Sequence, residues 1–284
     1  MKKKKGRMSP TVLPLYIVTV LFVALPLVYI VSLSFLERGE IWGVTDETTL
    51  GNYVKMLNPT YGKVFMQSFY IALLTTLCTL VIGYPFAYST ARLPAKWRSK
   101  VLLIMMVPFW LNSLIRLNGW VTLLQSNGAI NNLLMNAGMI EQPLKLLYTF
   151  GAVMVGMVYA LLPFMILAIY NSVEKMDWSL VEAARDLGAG RLRAFITVTI
   201  PQTLPGIVAG SVLVFVPSVG LFFVSDILGG SQIMLLGNLI KNELLNARNW
   251  PFGAALSVIM LTLTTVCIVL YKRASGGKSL GEML

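Results

Sequence analysis

Histidine is absent from the chain, and cysteine occurs only at Cys78 and Cys267. Both thiols fall inside long apolar runs, so the sequence offers neither a disulfide framework nor a metal site of Cys/His type. Charge is also scarce. Of 284 residues, 12% are charged and 56% are hydrophobic, whereas a soluble domain carries about a quarter charged residues. That shortage excludes an ordinary soluble domain and points to an integral membrane protein. Apart from Arg116, the apolar runs hold almost no ionisable side chains. This argues against an ion-driven carrier working alone, which needs an intramembrane relay of such groups.

What the chain does have is six apolar stretches, 11–35, 65–91, 101–124, 149–172, 204–224 and 252–271. Each reaches the length of about 20 residues that crosses a hydrocarbon core about 30 Å thick. A membrane barrel would instead show strands of about ten residues with alternating polarity. The third stretch is the least regular, because Pro108, Asn112, Arg116 and Asn118 interrupt it. With the N-terminus inside, sixteen Lys and Arg fall in inner segments and six in outer ones. That asymmetry follows the positive-inside rule for six spans with both termini cytoplasmic. The net charge of +11 therefore reads as a topology signal, with no nucleic acid expected as a partner. The opening "MKKKKGR" precedes an apolar run too long for a signal peptide and lacking a small-x-small cleavage site, so it is read as a retained first span. The expected organisation is a basic tail at 1–10, one all-α transmembrane domain at 11–271 with an inner loop at 173–203, and a second tail at 272–284.

"GGKS" at 276–279 resembles the end of a phosphate-binding loop, but Lys272 stands where that loop needs glycine. The chain thus shows no ATPase site of its own. The inner loop is more informative. Ser179-Leu-Val-Glu182 fits a capping box, in which Ser179 caps a helix and Glu182 reaches back to its backbone. Leu180, Ala184 and Leu187 share one face. Gly188 and Gly190 supply the left-handed backbone that ends a helix. A second helix starts near Arg191 and is limited by Pro201 and Pro205 before the fifth span. Local physics leaves two readings open: a capped pair lying on its own membrane domain, or a docking element for a cytoplasmic partner.

The stretch "EAARDLGAGRLRAFITVTIP" resembles the EAA loop of ABC-importer permeases: EAA, three residues, Gly, nine residues, Ile-x-Leu-Pro. Glu182, Ala183, Ala184, Gly188 and Pro201 match, with Val198 and Ile200 as conservative replacements. "FWLNSLIR" and "LFFVSDILGG" look like the permeases of spermidine/putrescine-type importers, specifically the first of the two paired permeases. The resemblance implies a type I ABC-importer permease fold and alternating access in a bacterial inner membrane. It also implies a second, homologous permease subunit, two copies of an ATPase subunit that bind the ATP and Mg, and a periplasmic polyamine-binding protein. No cofactor is expected in this chain, and no covalent chemistry. Glu182 would contact the ATPase, Ala183 and Ala184 would permit close approach, and Gly188 would make the turn. A permease for another small solute, or a membrane scaffold, are the alternatives.

A substrate path is sought in the fifth span. Gly206 and Gly210 form a GxxxG, a pattern that lets helices approach closely, and Pro217 is expected to break the helix. Phe222 and Asp226 lie four residues apart on one face, with Phe223 beside them. Aromatic faces and a carboxylate suit an alkylammonium, so these three are candidate gate residues, with Lys241 as an ion-pair partner for Asp226 when the gate is shut. Lys241 belongs to a segment, 232–249, whose periodicity predicts an amphipathic helix lying on or dipping into the outer surface. Trp110, near Arg116 in the third stretch, is a weaker candidate for the path.

Overall fold

The computed structural model describes residues 13–39, 43–230 and 232–274. The lysine-rich start and the "GGKS" tail lie outside them. Five helices among the described residues are long and apolar enough to cross a membrane, and a sharply bent pair makes a sixth.

The chain divides into two compact units. The first comprises residues up to Gly62 together with Leu239–Thr262. In it, α1 (Leu13–Thr19) runs through a π turn, Val20–Ala24, into α2 (Leu25–Ser34). Side chains from Ile17 to Tyr29 face outward, Phe22 being 75% exposed, as lipid contact requires. A short antiparallel hairpin follows, β1 (Leu36–Arg38) with β2 (Val44–Thr48), an addition to the expected all-helical fold. Then comes α3 (Gly51–Lys55). Asn52 ties the helix end to the hairpin by donating to the carbonyls of Ser34 and Leu36 at 3.0 and 2.9 Å. Arg38 donates to the carbonyl of Ala247 at 3.0 Å, and Phe252 packs between the Tyr61 ring and the Lys55 ammonium.

The second unit, Lys63–Asn238 with Leu263 onward, is built around α8 (Phe150–Glu174). Its fully buried Val153, Met157, Met165, Ile169 and Val173 form the spine of two apolar clusters. The second long helix, α4, runs Pro59–Ala91, beginning six residues before the expected span. Its buried Thr76 and Thr79 satisfy their hydroxyls on carbonyls four residues back at 2.7 and 2.9 Å, the cheapest solution away from water. The third stretch is not one straight span. α5 (Ala95–Met106) passes into a 3-10 turn, Val107–Trp110, and then bends by 91° into α6 (Ser113–Leu124). Leu111 is extended, and Asn112 caps the new helix by accepting from the Leu114 amide at 2.8 Å. A small helix α7 (Ala129–Asn136) follows, held by buried Asn131, which donates to the carbonyls of Gln125 and Leu144.

After α8 come α9 (Trp178–Asp186), α10 (Arg191–Ala194), a π turn at Phe195–Thr199 and α11 (Ile200–Gly220). Pro201 and Pro205 do not interrupt this path: Arg191–Gly220 is one helical run. A π turn directly ahead of Pro201 absorbs the mismatch that proline brings. Pro217 is likewise inside the helix, which stops at Leu221, where ψ turns to 60°. So Phe222, Phe223 and Asp226 stand on a separate helix, α12 (Phe222–Gly229). The 232–249 segment becomes α13 (Leu236–Lys241) and a π turn, Asn242–Asn246. Leu235, Leu236 and Asn238 are buried while residues 245–248 are exposed, so the first part of the segment dips into the protein and the last part stays accessible. Its polar Asn238 is satisfied internally, which periodicity cannot distinguish from a face turned to water. α14 (Trp250–Ala274) closes the chain.

The GxxxG of α11 lies directly on α8. A Cβ at Gly206 would come 2.6 Å from the Ala168 carbonyl oxygen, and one at Gly210 would come 2.7 Å from the Met165 sulfur. Gly206→Val should therefore destabilise the folded chain by about 1–3 kcal/mol through overpacking. Gly62→Ala, where a Cβ meets nothing within 4 Å, should leave stability unchanged or slightly raised. Thermal unfolding in detergent, followed by fluorescence, distinguishes the two.

Candidate functional site

The segment between α8 and α11 protrudes as a helix, a glycine turn and a second helix. Its N-cap is Asp177, whose carboxylate accepts from the Ser179 amide at 3.0 Å and from the Ser179 hydroxyl at 2.7 Å. Ser179 is therefore inside the helix as a donor to the cap. The expected Ser179/Glu182 capping box does not form, because the N-cap is Asp177. Asp177 takes the role, with its backbone amide held by the Gln202 side chain at 3.2 Å, and the helix starts two residues earlier than a Ser179 cap would set.

The other end of α9 closes as the glycine pattern predicts. Ala189 donates to the Ala184 carbonyl and Gly188 to that of Arg185, both at 3.0 Å. Gly188 has φ +87°. These paired bonds with a left-handed residue between them are a Schellman closure. Gly190 sits at φ −62° and serves as the cap of α10, so only Gly188 needs the left-handed freedom.

The apolar face of α9 does not lie on its own membrane domain. Leu187 is 90% and Leu180 50% exposed, and on the second helix Leu192 is 71% exposed. Ala183 and Glu182 are exposed beside them and Ala184 is half-buried. A groove of about 380 Å³ separates the two helices, lined by Tyr88, Arg92, Trp178, Glu182, Arg191 and Phe195. So Glu182, Ala183, Ala184 and Gly188 are brought together on one rigid, outward-facing element with unfilled apolar surface.

Aromatic side chains that sequence periodicity did not single out seat this element. Trp178 packs on Tyr88 with ring centroids 5.7 Å apart. Phe195 meets Tyr84 and Tyr88 edge-on at 5.6 and 5.9 Å, and the Tyr84 hydroxyl bonds the Thr203 hydroxyl at 2.9 Å. The available signal was the i, i+4 pair Tyr84 and Tyr88 near the C-terminal end of α4.

A second candidate patch lies on α12. Phe222 and Phe223 are edge-to-face at 6.2 Å. The Asn238 amide donates to the Phe222 carbonyl at 3.1 Å and to the Asp226 carboxylate at 2.6 Å, while its oxygen accepts from the Leu235 amide at 2.9 Å. Asn238 thus fixes the shared face of Phe222 and Asp226, a role sequence reasoning missed. Lys241 ends α13 and belongs to the other compact unit. Trp110 stands at the end of the 3-10 turn with its ring 77% exposed. Nearby, the Arg116 guanidinium lies 4.2 Å from the Phe109 ring centroid and 5.5 Å from that of Tyr159, so cation–π contacts hold the intramembrane charge.

Comparison with known proteins gives consistent matches. The model of the family "binding-protein-dependent transport system inner membrane component" matches residues 80–275. The chain is 47% identical over 256 residues to the spermidine/putrescine transport system permease protein PotB of Escherichia coli (strain K12), covering 90% of this chain and 93% of that protein. The Haemophilus influenzae protein of the same name is 42% identical, with 90% of each covered. Among solved structures, a chain of a bacterial alginate ABC transporter, crystallised in complex with an alginate pentasaccharide-bound periplasmic protein, matches with a TM-score of 0.75. It covers 93% of this chain and 92% of that one at 16% identity, a likeness of fold.

The cap assignment is open to direct test by hydrogen exchange of the peptide spanning 178–189. Asp177→Ala should cost about 1 kcal/mol of local stability and speed exchange about fivefold. Glu182→Gln should leave exchange unchanged, because Glu182 does no capping.

Proposed function

The chain belongs to the family of binding-protein-dependent transport system inner membrane components, and on that premise we propose that it is one permease subunit of an ATP-driven polyamine importer. The observation that carries this reading is the 47% identity to a spermidine/putrescine permease along nearly the whole of both chains. The subunit performs no covalent chemistry; it forms part of the path. It works with a homologous second permease, two copies of an ATPase subunit that hold ATP and Mg, and a periplasmic polyamine-binding protein. It sits in the inner membrane with both termini cytoplasmic, the orientation that places α9 and the basic inner loops on the ATPase side.

In this reading α9 docks on the ATPase. Leu180, Ala183 and Leu187 supply exposed contact surface, Glu182 a charge, and the Asp177 cap and Gly188 turn keep the helix formed while it is pushed. ATP binding closes the ATPases and turns the membrane cavity outward; hydrolysis returns it. At the outer end, Phe222, Phe223 and Asp226 form a transient ammonium contact, with Lys241 as the resting partner of Asp226 and Trp110 as a further aromatic along the path. Asn238 holds the Asp226 carboxylate in a fixed orientation, so a passing cation meets a preset acceptor.

Uptake of labelled spermidine into cells lacking their own polyamine transporters tests the reading. Uptake should require the chain, its second permease and its ATPase together. Uptake by the chain without an ATPase would overturn the ATP-driven reading. Accumulation of a sugar or oxyanion in place of spermidine would overturn the substrate assignment and leave the permease assignment standing. At matched expression, Asp226→Asn should reduce apparent affinity about tenfold, the worth of a charge-assisted hydrogen bond of about 1.5–3 kcal/mol. Uptake and affinity equal to wild type would remove Asp226 from the path.

A further inference from the structure

The junction of α4 and α5 holds the joint between α8 and α9 at two points. The guanidinium of Arg92 lies 5.5 Å from the Trp178 ring centroid and 5.6 Å from that of Tyr88. Six residues on, Arg98 Nη1 meets Glu174 Oε1 at 2.8 Å, and the Tyr170 hydroxyl donates to the same oxygen at 2.8 Å. Arg98 also donates through Nη2 to the Leu93 carbonyl at 3.2 Å, which ties one grip to the other. Glu174 is the last residue of α8, and Trp178 is the first of α9. The joint between them is therefore held at one end by Arg92, which directly follows α4, and at the other by Arg98, in the first turn of α5.

A helix attached only through its covalent ends would swing when pushed and would move only the spans it is joined to, α8 and α11. Holding both ends of the joint removes that freedom. It also adds α4 and α5, with which α9 shares no covalent connection nearby. Phe195 closes the same assembly from the far side, edge-on to Tyr84 and Tyr88.

We propose that Arg92 and Arg98 form a clasp that delivers displacement of α9 to the α4–α5 hairpin, making them positioning residues for coupling and not parts of the docking face. The proposal rests on the permease reading above and names the route by which the stroke enters the membrane domain. Trp178 is the ring on which the clasp closes.

The test uses the assembled transporter, with both permeases, ATPase and binding protein, reconstituted in liposomes with spermidine. ATP hydrolysis and spermidine uptake are measured together on the same preparation. Arg92→Gln combined with Arg98→Gln should leave the ATPase bound and hydrolysing while spermidine imported per ATP falls about fivefold, within the range seen for residues that carry coupling. Trp178→Leu should behave in the same way, and Trp178→Phe should restore the ratio. Arg92→Gln alone, at an exposed position, provides the same ratio should the double variant fail to assemble, with a smaller fall expected. An uptake-to-hydrolysis ratio equal to wild type in these variants overturns the clasp, as does a proportional loss of both activities in assembled complexes. A wild-type complex whose hydrolysis does not respond to binding protein and spermidine contradicts the permease reading itself.

Discussion

The close approach of α11 to α8 is the contact on which the arrangement depends. Between lipid-immersed helices the hydrophobic effect gives no net attraction, so association comes from steric fit and a few hydrogen bonds. Here the fit is made by glycine. Gly206 and Gly210 of α11 lie against Ala168, Met165 and Ser172 of α8; Gly83 of α4 faces Met165 and Ile166; Gly156 of α8 receives Leu228 and Val224 of α12. Each glycine removes the side chain that would hold two backbones apart. The protruding segment hangs between α8 and the α10–α11 run, so the spacing set by Gly206 and Gly210 also sets where α9 is held.

From that anchorage follows the division of labour in the loop. The Asp177 cap and the Gly188 closure satisfy the helix ends within the loop, leaving the face with Leu180, Ala183 and Leu187 for a partner. The aromatic seat of Tyr84, Tyr88, Trp178 and Phe195 keeps the opposite face engaged with the protein. A helix that is formed, seated on one side and open on the other is suited to receive a push from a soluble subunit. The α12 patch has the complementary design, since Asn238 immobilises a carboxylate beside two aromatic rings.

Much of this was legible in the sequence, for reasons that can be stated residue by residue. Apolar runs of spanning length gave the helical membrane fold, because lipid leaves so few other solutions. Gly188 was readable because a helix followed by a left-handed residue almost demands glycine. The cap was misread because Asp177 and Ser179 are both good capping residues and Glu182 completes a capping box with Ser179. The Asp177 amide is held by Gln202, 25 residues away in the chain. Pro108 and Asn112 marked the third stretch as irregular, but a 91° bend depends on which packing each half finds. Proline at 201 and 205 suggested a break because a π turn, which carries no sequence signature, was not foreseen. Asn238 shows the same limit: a polar residue at helical spacing reads as a wet face, whereas here it is buried and fully engaged.

The central claim is that the exposed face of α9 is covered by an ATPase subunit in the working transporter. A cysteine placed at Leu187, the most exposed apolar position of the loop, with Cys78 and Cys267 replaced by serine, reports on this directly. In inside-out membrane vesicles, a membrane-impermeant maleimide should label the cysteine rapidly when the ATPase has been stripped away and slowly when it is restored. Labelling that is equally fast in both cases would contradict the account.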